Sequence, residues 1–217
     1  MIDKRKLLFI GGASHVGKST IAQSILDYVG YSSLGYNYIS TDKLARHPGR
    51  PWQPELTDIP KHVIKHFQLL SADELVENVL NHYRTNVWPL VEDIVTAYAT
   101  DISSRQMVIE GSALLPELVN NLNFDNTFSL WLTASNEFLK QRIYLSSQYE
   151  TKSPFEQMLI DKFWQRNCLL NDRIIAAVDR LGLVSLNIEA ASTVDELRAC
   201  INRHLSIQID ENWLYVI

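Results

Sequence analysis

Gly12-Ala13-Ser14-His15-Val16-Gly17-Lys18-Ser19 follows G-x-x-x-x-G-K-[ST] at every fixed position. Leu7-Leu8-Phe9-Ile10 before it is a short apolar stretch suited to a buried strand. Ser19 to Tyr28 after it carries Ile21, Ala22, Ile25 and Leu26 at helical spacing. Strand, glycine-rich turn and helix in that order let consecutive backbone N–H groups face a polyphosphate, with the helix N-terminus behind them. The segment Gly12 to Thr20 therefore predicts a nucleoside-triphosphate site. Lys18 would reach the outer phosphates and the Ser19 hydroxyl would bind Mg²⁺.

The chain has 217 residues, enough for one α/β domain with a substantial core. With 46% hydrophobic and 21% charged residues it reads as globular rather than disordered. A formal net charge of −5 argues against broad nucleic-acid binding. No apolar run approaches the ~20 residues of a membrane span. Lys4, Arg5 and Lys6 could imitate the start of a secretory leader, but the apolar segment ends at Gly11 and reads as a first strand. Cys168 and Cys200 form neither a disulfide framework nor a zinc pattern. A cytoplasmic protein with reduced thiols is the expectation.

Strand-like runs recur at Lys6–Ile10, Tyr36–Ser40, Gln106–Ile109, Thr127–Leu132 and Leu183–Ile188, with helical segments between them. That alternation predicts five strands in a mostly parallel sheet with helices on both faces. Ser71-Ala72-Asp73-Glu74 is a capping box that opens a helix toward Tyr83. Ser153-Pro154-Phe155-Glu156 opens another, which can run to Leu181 and stop at Gly182. Thr193-Val194-Asp195-Glu196 starts the last. One domain, residues 1–217, is expected, with a helical acceptor-binding insertion at about 43–105 and a lid region at about 142–173.

Phosphoryl chemistry needs positioning, charge neutralisation and a group that orients or deprotonates the acceptor. Asp42, just past the second strand run, suits that last role, although Asp is also favoured as a helix N-cap. Glu110 ends the third run before Gly111 and could hold Mg²⁺ or bind an acceptor hydroxyl. In Arg46-His47-Pro48-Gly49-Arg50-Pro51-Trp52, a turn-rich loop, Arg46 and Arg50 suit carboxylate or phosphate recognition. Trp52 could cover a ring, or pack on the insertion. Arg142, Arg166 and Arg173 flank the segment from Ser146 to Ser153, from which an arginine could meet developing phosphate charge. His62 and His66 lack a third ligand, so zinc is not expected. The apolar tail Trp213-Leu214-Tyr215-Val216-Ile217 would dock on the body or on a second subunit, which leaves a homodimer open.

GGASHVGKST at residues 11–20, TDKLAR at 41–46 and EGSALLP at 110–116 together resemble the P-loop small-molecule kinases, and among them 2-phosphoglycerate kinase. DKFWQRNCLLNDRI at 161–174, leading into LVSLNI, extends the resemblance over most of the chain outside the insertion. It implies a P-loop NTPase fold, ATP and Mg²⁺ as cofactors, and a small-molecule acceptor. It also implies phosphate contacts from Gly12 to Thr20, an acceptor-side Asp42, an active-site Glu110 and a phosphate-contacting Arg166. A nucleotide-sensing or NTP-hydrolysing protein, and a toxin-like kinase of a larger acceptor, are the competing readings.

Overall fold

The computed structural model describes residues 7–28, 37–45, 47–52, 58–100, 107–122, 124, 127–191 and 193–208. Arg46 and the tail from Trp213 to Ile217 lie outside them. Five strands form one sheet: β1 (Leu7–Gly11), β2 (Asn37–Ser40), β3 (Met107–Glu110), β4 (Thr127–Thr133) and β5 (Ser185–Asn187). Their order is β2-β3-β1-β4-β5 and every pairing is parallel. β1 and β3 lie inside the sheet and are buried throughout, which explains their unbroken apolar runs.

Alternate residues of β1 feed two cores, as the strand period of two requires. Leu8 and Ile10 pack with Ile21 and Ile25 of α1 (Lys18–Tyr28) and with Leu197 of the last helix, α8 (Val194–Gln208). Leu7 and Phe9 pack on the opposite face with Trp131, Val91, Leu170 and Ile174. Val91 comes from α4 (Trp88–Thr100), and Leu170 and Ile174 come from α7 (Pro154–Leu181). Thus α7 crosses the sheet while its upper half reaches beyond the strand ends.

The insertion is helical over its described residues 61–100. It holds α2 (Lys61–Leu69) and α3 (Ala72–His82), the latter opened by the Ser71–Glu74 capping box. A π-helical turn, Tyr83–Val87, joins α3 to α4 and shifts the helical phase at that point. A third core cluster lies above the sheet edge, where Trp52, Phe67 and Leu75 meet Ile143, Leu159 and Phe163. It bonds the insertion to α6 (Asn136–Ser147) and α7, while Val119 of α5 (Pro116–Asn120) belongs to the core of Leu7 and Phe9.

The segment between α6 and α7 is short and fastened. Gln148 takes a left-handed conformation, followed by a tight turn at Tyr149–Thr151. The Tyr144 and Tyr149 rings stack 3.9 Å apart, and both hydroxyls donate to the Asp161 carboxylate. Ser153 and Glu156 form the expected capping box, and α7 ends at Gly182 with φ 64°.

Candidate active site

The parallel register brings three strand ends to one level, since Glu110 pairs with Ile10 on one side and with Ser40 on the other. The phosphate loop, Thr41-Asp42 and Glu110-Gly111 therefore emerge side by side. Gly111 has φ 150°, and a Cβ there would run into the Thr41 side chain, so only glycine lets β3 leave this close to β2.

The loop from Gly12 to Ser19 wraps the N-terminus of α1. His15 within it has φ 68°, a left-handed conformation that costs a non-glycine residue about 1–2 kcal/mol. Its imidazole offsets that strain: Nδ1 lies 3.1 Å from Ser14 Oγ and Nε2 lies 3.0 Å from Ser146 Oγ at the end of α6. Burial, helped by the positive Arg50, Lys18, Arg142 and Arg166, pulls its pKa down to about 3. Asn167 of α7 brackets the loop from behind. It accepts from the Ser14 N–H at 2.9 Å and donates to the Ser14 carbonyl at 3.0 Å.

Lys18 is expected to face a ligand, yet it is only 6% exposed. Its ammonium donates to the Ala13 carbonyl at 2.8 Å and to Ser112 Oγ at 3.1 Å. Burial lowers its pKa, with Asp42 and Glu110 acting in the opposite sense. Ser19 donates to Glu110 Oε1 at 3.0 Å, and Tyr38 donates to the same oxygen at 2.9 Å. The carboxylate of Glu110 is buried and its Oε2 has no partner among the described residues.

Two adjoining cavities occupy this edge. The outer one, about 370 Å³, is lined by His15, Gly17, Lys18, Ser19, Thr20 and Arg142. The inner one, about 160 Å³, is walled by His47, His82, Tyr83, Ser112, Phe163 and Arg166. Asp42, Arg50 and Ser14 line both, so the aspartate stands at their junction. Asp42 is exposed there, and Ser40 holds the N-cap position of the turn Thr41–Lys43, so capping does not occupy Asp42. A third, more apolar space of about 260 Å³ flanks the loop between Val16, Phe138, Arg142, Ile188, Ala191 and Val194.

The structure brings together most of the expected residues, with four changes of place. Trp52 is 7% exposed and packs on Phe163 at 4.9 Å, in the third core cluster. It lines neither main cavity, so it anchors the arginine loop instead of covering a ligand ring. Arg142 lies beside Gly17 on the outer cavity, which Arg50 also lines, and is absent from the inner one. Arg166 lines the inner cavity, its guanidinium stacked 4.4 Å from the Phe163 ring, and does not line the outer one. Arg173 is tied to Glu77 at 2.6 Å, away from both.

Several wall residues escaped the sequence reading. Asn167 adjoins Arg166, and Ser112 follows Glu110-Gly111, so nearness to assigned residues was a usable signal for both. His47 and His82 converge only through folding; their rings lie 5.0 Å apart. Burial and the neighbouring Arg166, His66 and His82 hold the pKa of His47 down to about 3. Burial raises that of Tyr83 to about 12, so its hydroxyl keeps its proton at neutral pH.

No protein-family model matches the chain. It is similar to a protein named 2-phosphoglycerate kinase from Methanocaldococcus jannaschii, 26% identical over 212 residues, covering 94% of this chain and 65% of that protein. The chain thus spans just under two thirds of the length of that curated relative. Among solved structures it is similar to a gluconokinase from Sinorhizobium meliloti 1021, at 18% identity and a TM-score of 0.47, covering 94% of this chain and 98% of that one. A shikimate kinase from Bacteroides thetaiotaomicron is similar at 12% identity and a TM-score of 0.44, covering 94% and 98% respectively. The resemblance carried by the phosphate loop and the blocks at 41–46 and 110–116 is matched by an alignment that covers nearly the whole chain.

Proposed function

We propose that the protein is an ATP- and Mg²⁺-dependent kinase that transfers the γ-phosphoryl group to a hydroxyl of a small, anionic molecule. The observation that carries this reading is the junction of the two cavities at Asp42. A triphosphate laid along the loop would end in the outer cavity, and an acceptor in the inner one would meet it across that carboxylate. The apolar space beside the loop suits a planar base, with Arg142 above it.

The residues fit a hard cation. Ser19 and Glu110 supply oxygens beside the loop, and Glu110 Oε2 is a buried acceptor with no partner among the described residues. Mg²⁺ held by Ser19, with Glu110 behind it, would neutralise phosphate charge. Lys18 would turn from the Ala13 carbonyl toward the outer phosphates, while backbone N–H groups of the loop hold the inner ones. Asp42 would orient the acceptor hydroxyl and take its proton as the O–P bond forms. Asn167 and the His15–Ser146 contact fix the loop between α6 and α7.

The acceptor is expected to carry a carboxylate or phosphate because Arg50 and Arg166 both line the inner cavity. A phosphorylated hydroxy acid, the kind of compound for which the Methanocaldococcus jannaschii relative is named, is the first to try. The test is an acceptor screen with Mg-ATP, reading ADP release, across phosphorylated acids, sugars, nucleosides and aminoglycoside-like amines. Release that depends on an anionic hydroxyl compound supports the reading. Release indifferent to every acceptor class supports a hydrolase or sensor instead.

A further inference from the structure

The two cavities meet where a phosphoryl group would change hands, so the cation at that junction decides how its charge is met. Ser14, Asp42 and Arg50 line both cavities, and Arg50 is the one cation among them. Lys18 and Arg142 line the outer cavity without the inner, and Arg166 lines the inner without the outer. Residues 146–153, between α6 and α7, contain no arginine. Their Lys152 lies 3.8 Å from Glu156, and the Tyr144–Tyr149–Asp161 contacts pin the segment down. By contrast, among the described residues no carboxylate lies within ion-pair distance of Arg50, Asp42 included. After burial, the Arg50 charge is the largest influence lowering the pKa of His15, and with burial it also lowers that of Lys18. Arg50 therefore acts on the phosphate loop as well as on the inner cavity.

Its backbone is held in place from both sides. Gly49 turns the chain with φ 76°, and Pro51 confines Arg50 to extended conformations. Pro51 is buried, and the Trp52 ring packs 5.8 Å from the His15 imidazole and 4.9 Å from the Phe163 ring. His15 is the left-handed residue of the phosphate loop. The loop that would hold the triphosphate thus braces the segment that carries Arg50. A guanidinium on so fixed a base loses less freedom on meeting its partner.

We infer that Arg50 is a catalytic residue that binds the oxygens of the γ-phosphoryl group while it is transferred, supplied by the insertion loop instead of the segment between α6 and α7. The inference rests on the kinase reading and gives Arg50 a role beyond contact with the acceptor. As the acceptor oxygen bonds to the γ-phosphorus, the bond from that phosphorus to the β–γ bridging oxygen breaks. The bridging oxygen leaves on ADP with the electron pair, and the acceptor proton passes to Asp42. Charge spreads over the three equatorial oxygens in transit, and the guanidinium fork can donate to two of them.

The test needs no acceptor. The full chain is titrated with ADP and Mg²⁺ alone, with beryllium fluoride, which mimics the bound γ-phosphate, and with fluoroaluminate, which mimics the group in transfer. Arg50→Ala should weaken the fluoroaluminate complex roughly 10²–10³-fold and change the other two by less than about threefold. Arg50→Lys should recover only part of the loss, because an ammonium lacks the fork. Free guanidinium ion, kept below concentrations that unfold the chain, should restore part of the Arg50→Ala complex. Arg142→Ala should instead weaken ADP itself, since Arg142 lies beside Gly17 and the apolar space. Equal weakening of all three complexes by Arg50→Ala overturns the inference. So does a fluoroaluminate complex that depends on Arg142 and not on Arg50, or one that does not form with ADP in the unmutated protein. Phosphorylation of an anionic hydroxyl compound alongside any of those results keeps the kinase reading and removes this one. The predicted Arg50 dependence, with ADP release indifferent to every acceptor class, does the reverse: the group then passes to water.

Discussion

Asn167 holds both backbone polar groups of one residue, accepting from the Ser14 N–H at 2.9 Å and donating to the Ser14 carbonyl at 3.0 Å. It is fully buried in the middle of α7, so the phosphate loop is fixed to the longest helix of the fold. Asn167→Ala leaves both Ser14 groups unpaired and should cost about 1–3 kcal/mol of stability, together with a weaker nucleotide affinity. Asn167→Asp keeps the acceptor and loses the donor, so it should fall between the two in a urea titration. Equal nucleotide affinity in all three proteins would show that the clamp does not shape the loop.

Lys18→Met should remove turnover by roughly 10²–10³, the scale of a lost preorganised charge contact. Because the ammonium is buried among a carbonyl and a hydroxyl, its removal also removes a desolvated charge. The unfolding midpoint of the free protein should therefore stay level or rise. A variant that retained full phosphoryl transfer would break the assignment of the loop.

Asp42 and Glu110 should separate in a magnesium titration. Asp42→Asn should lower kcat by roughly 10²–10⁴ with little change in nucleotide affinity. Glu110→Gln should instead raise the Mg²⁺ requirement, since an amide is a poorer ligand for a hard cation and Ser19 loses its charged partner. The opposite pattern would mean that the two roles are exchanged.

The buried His15 should make stability fall in acid. Its pKa is about 3 in the folded chain against an ordinary value near 6.5, so the unfolded chain binds the proton first as pH drops. Its contribution is whole above about pH 6.5 and is lost as pH falls toward about 3, with a slope of at most about 1.4 kcal/mol per pH unit. His15→Asn tolerates the left-handed backbone and does not titrate there. Denaturation followed from pH 7 to pH 4 should be less steep for that variant. Parallel curves would place the acid sensitivity elsewhere.

Much of the fold was legible because it is written locally. The strands, both capping boxes and the Gly182 stop depend on neighbours a few residues apart, and each formed within a residue or two of its expected place. Strand order was not legible, since an apolar run does not say which other run it pairs with. Ser19 and Glu110 each read as an oxygen donor for a cation from the residues beside it, and the two side chains meet. The inner cavity did not, because His47, His82, Ser112 and Arg166 come from four separate segments, and a π-helical turn adjoins one of them. For Trp52 the sequence leaves a ligand cover and packing on the insertion both open; the ring packs on Phe163 in the third core cluster, which removes a large apolar surface from water.

Transfer of label from γ-labelled ATP tests the central claim most directly. With Mg²⁺ and an anionic hydroxy compound, the label should appear on the acceptor in step with ADP, and Asp42→Asn should suppress both together. Label released only as inorganic phosphate, at a rate unchanged by any acceptor or by Asp42→Asn, would contradict the account.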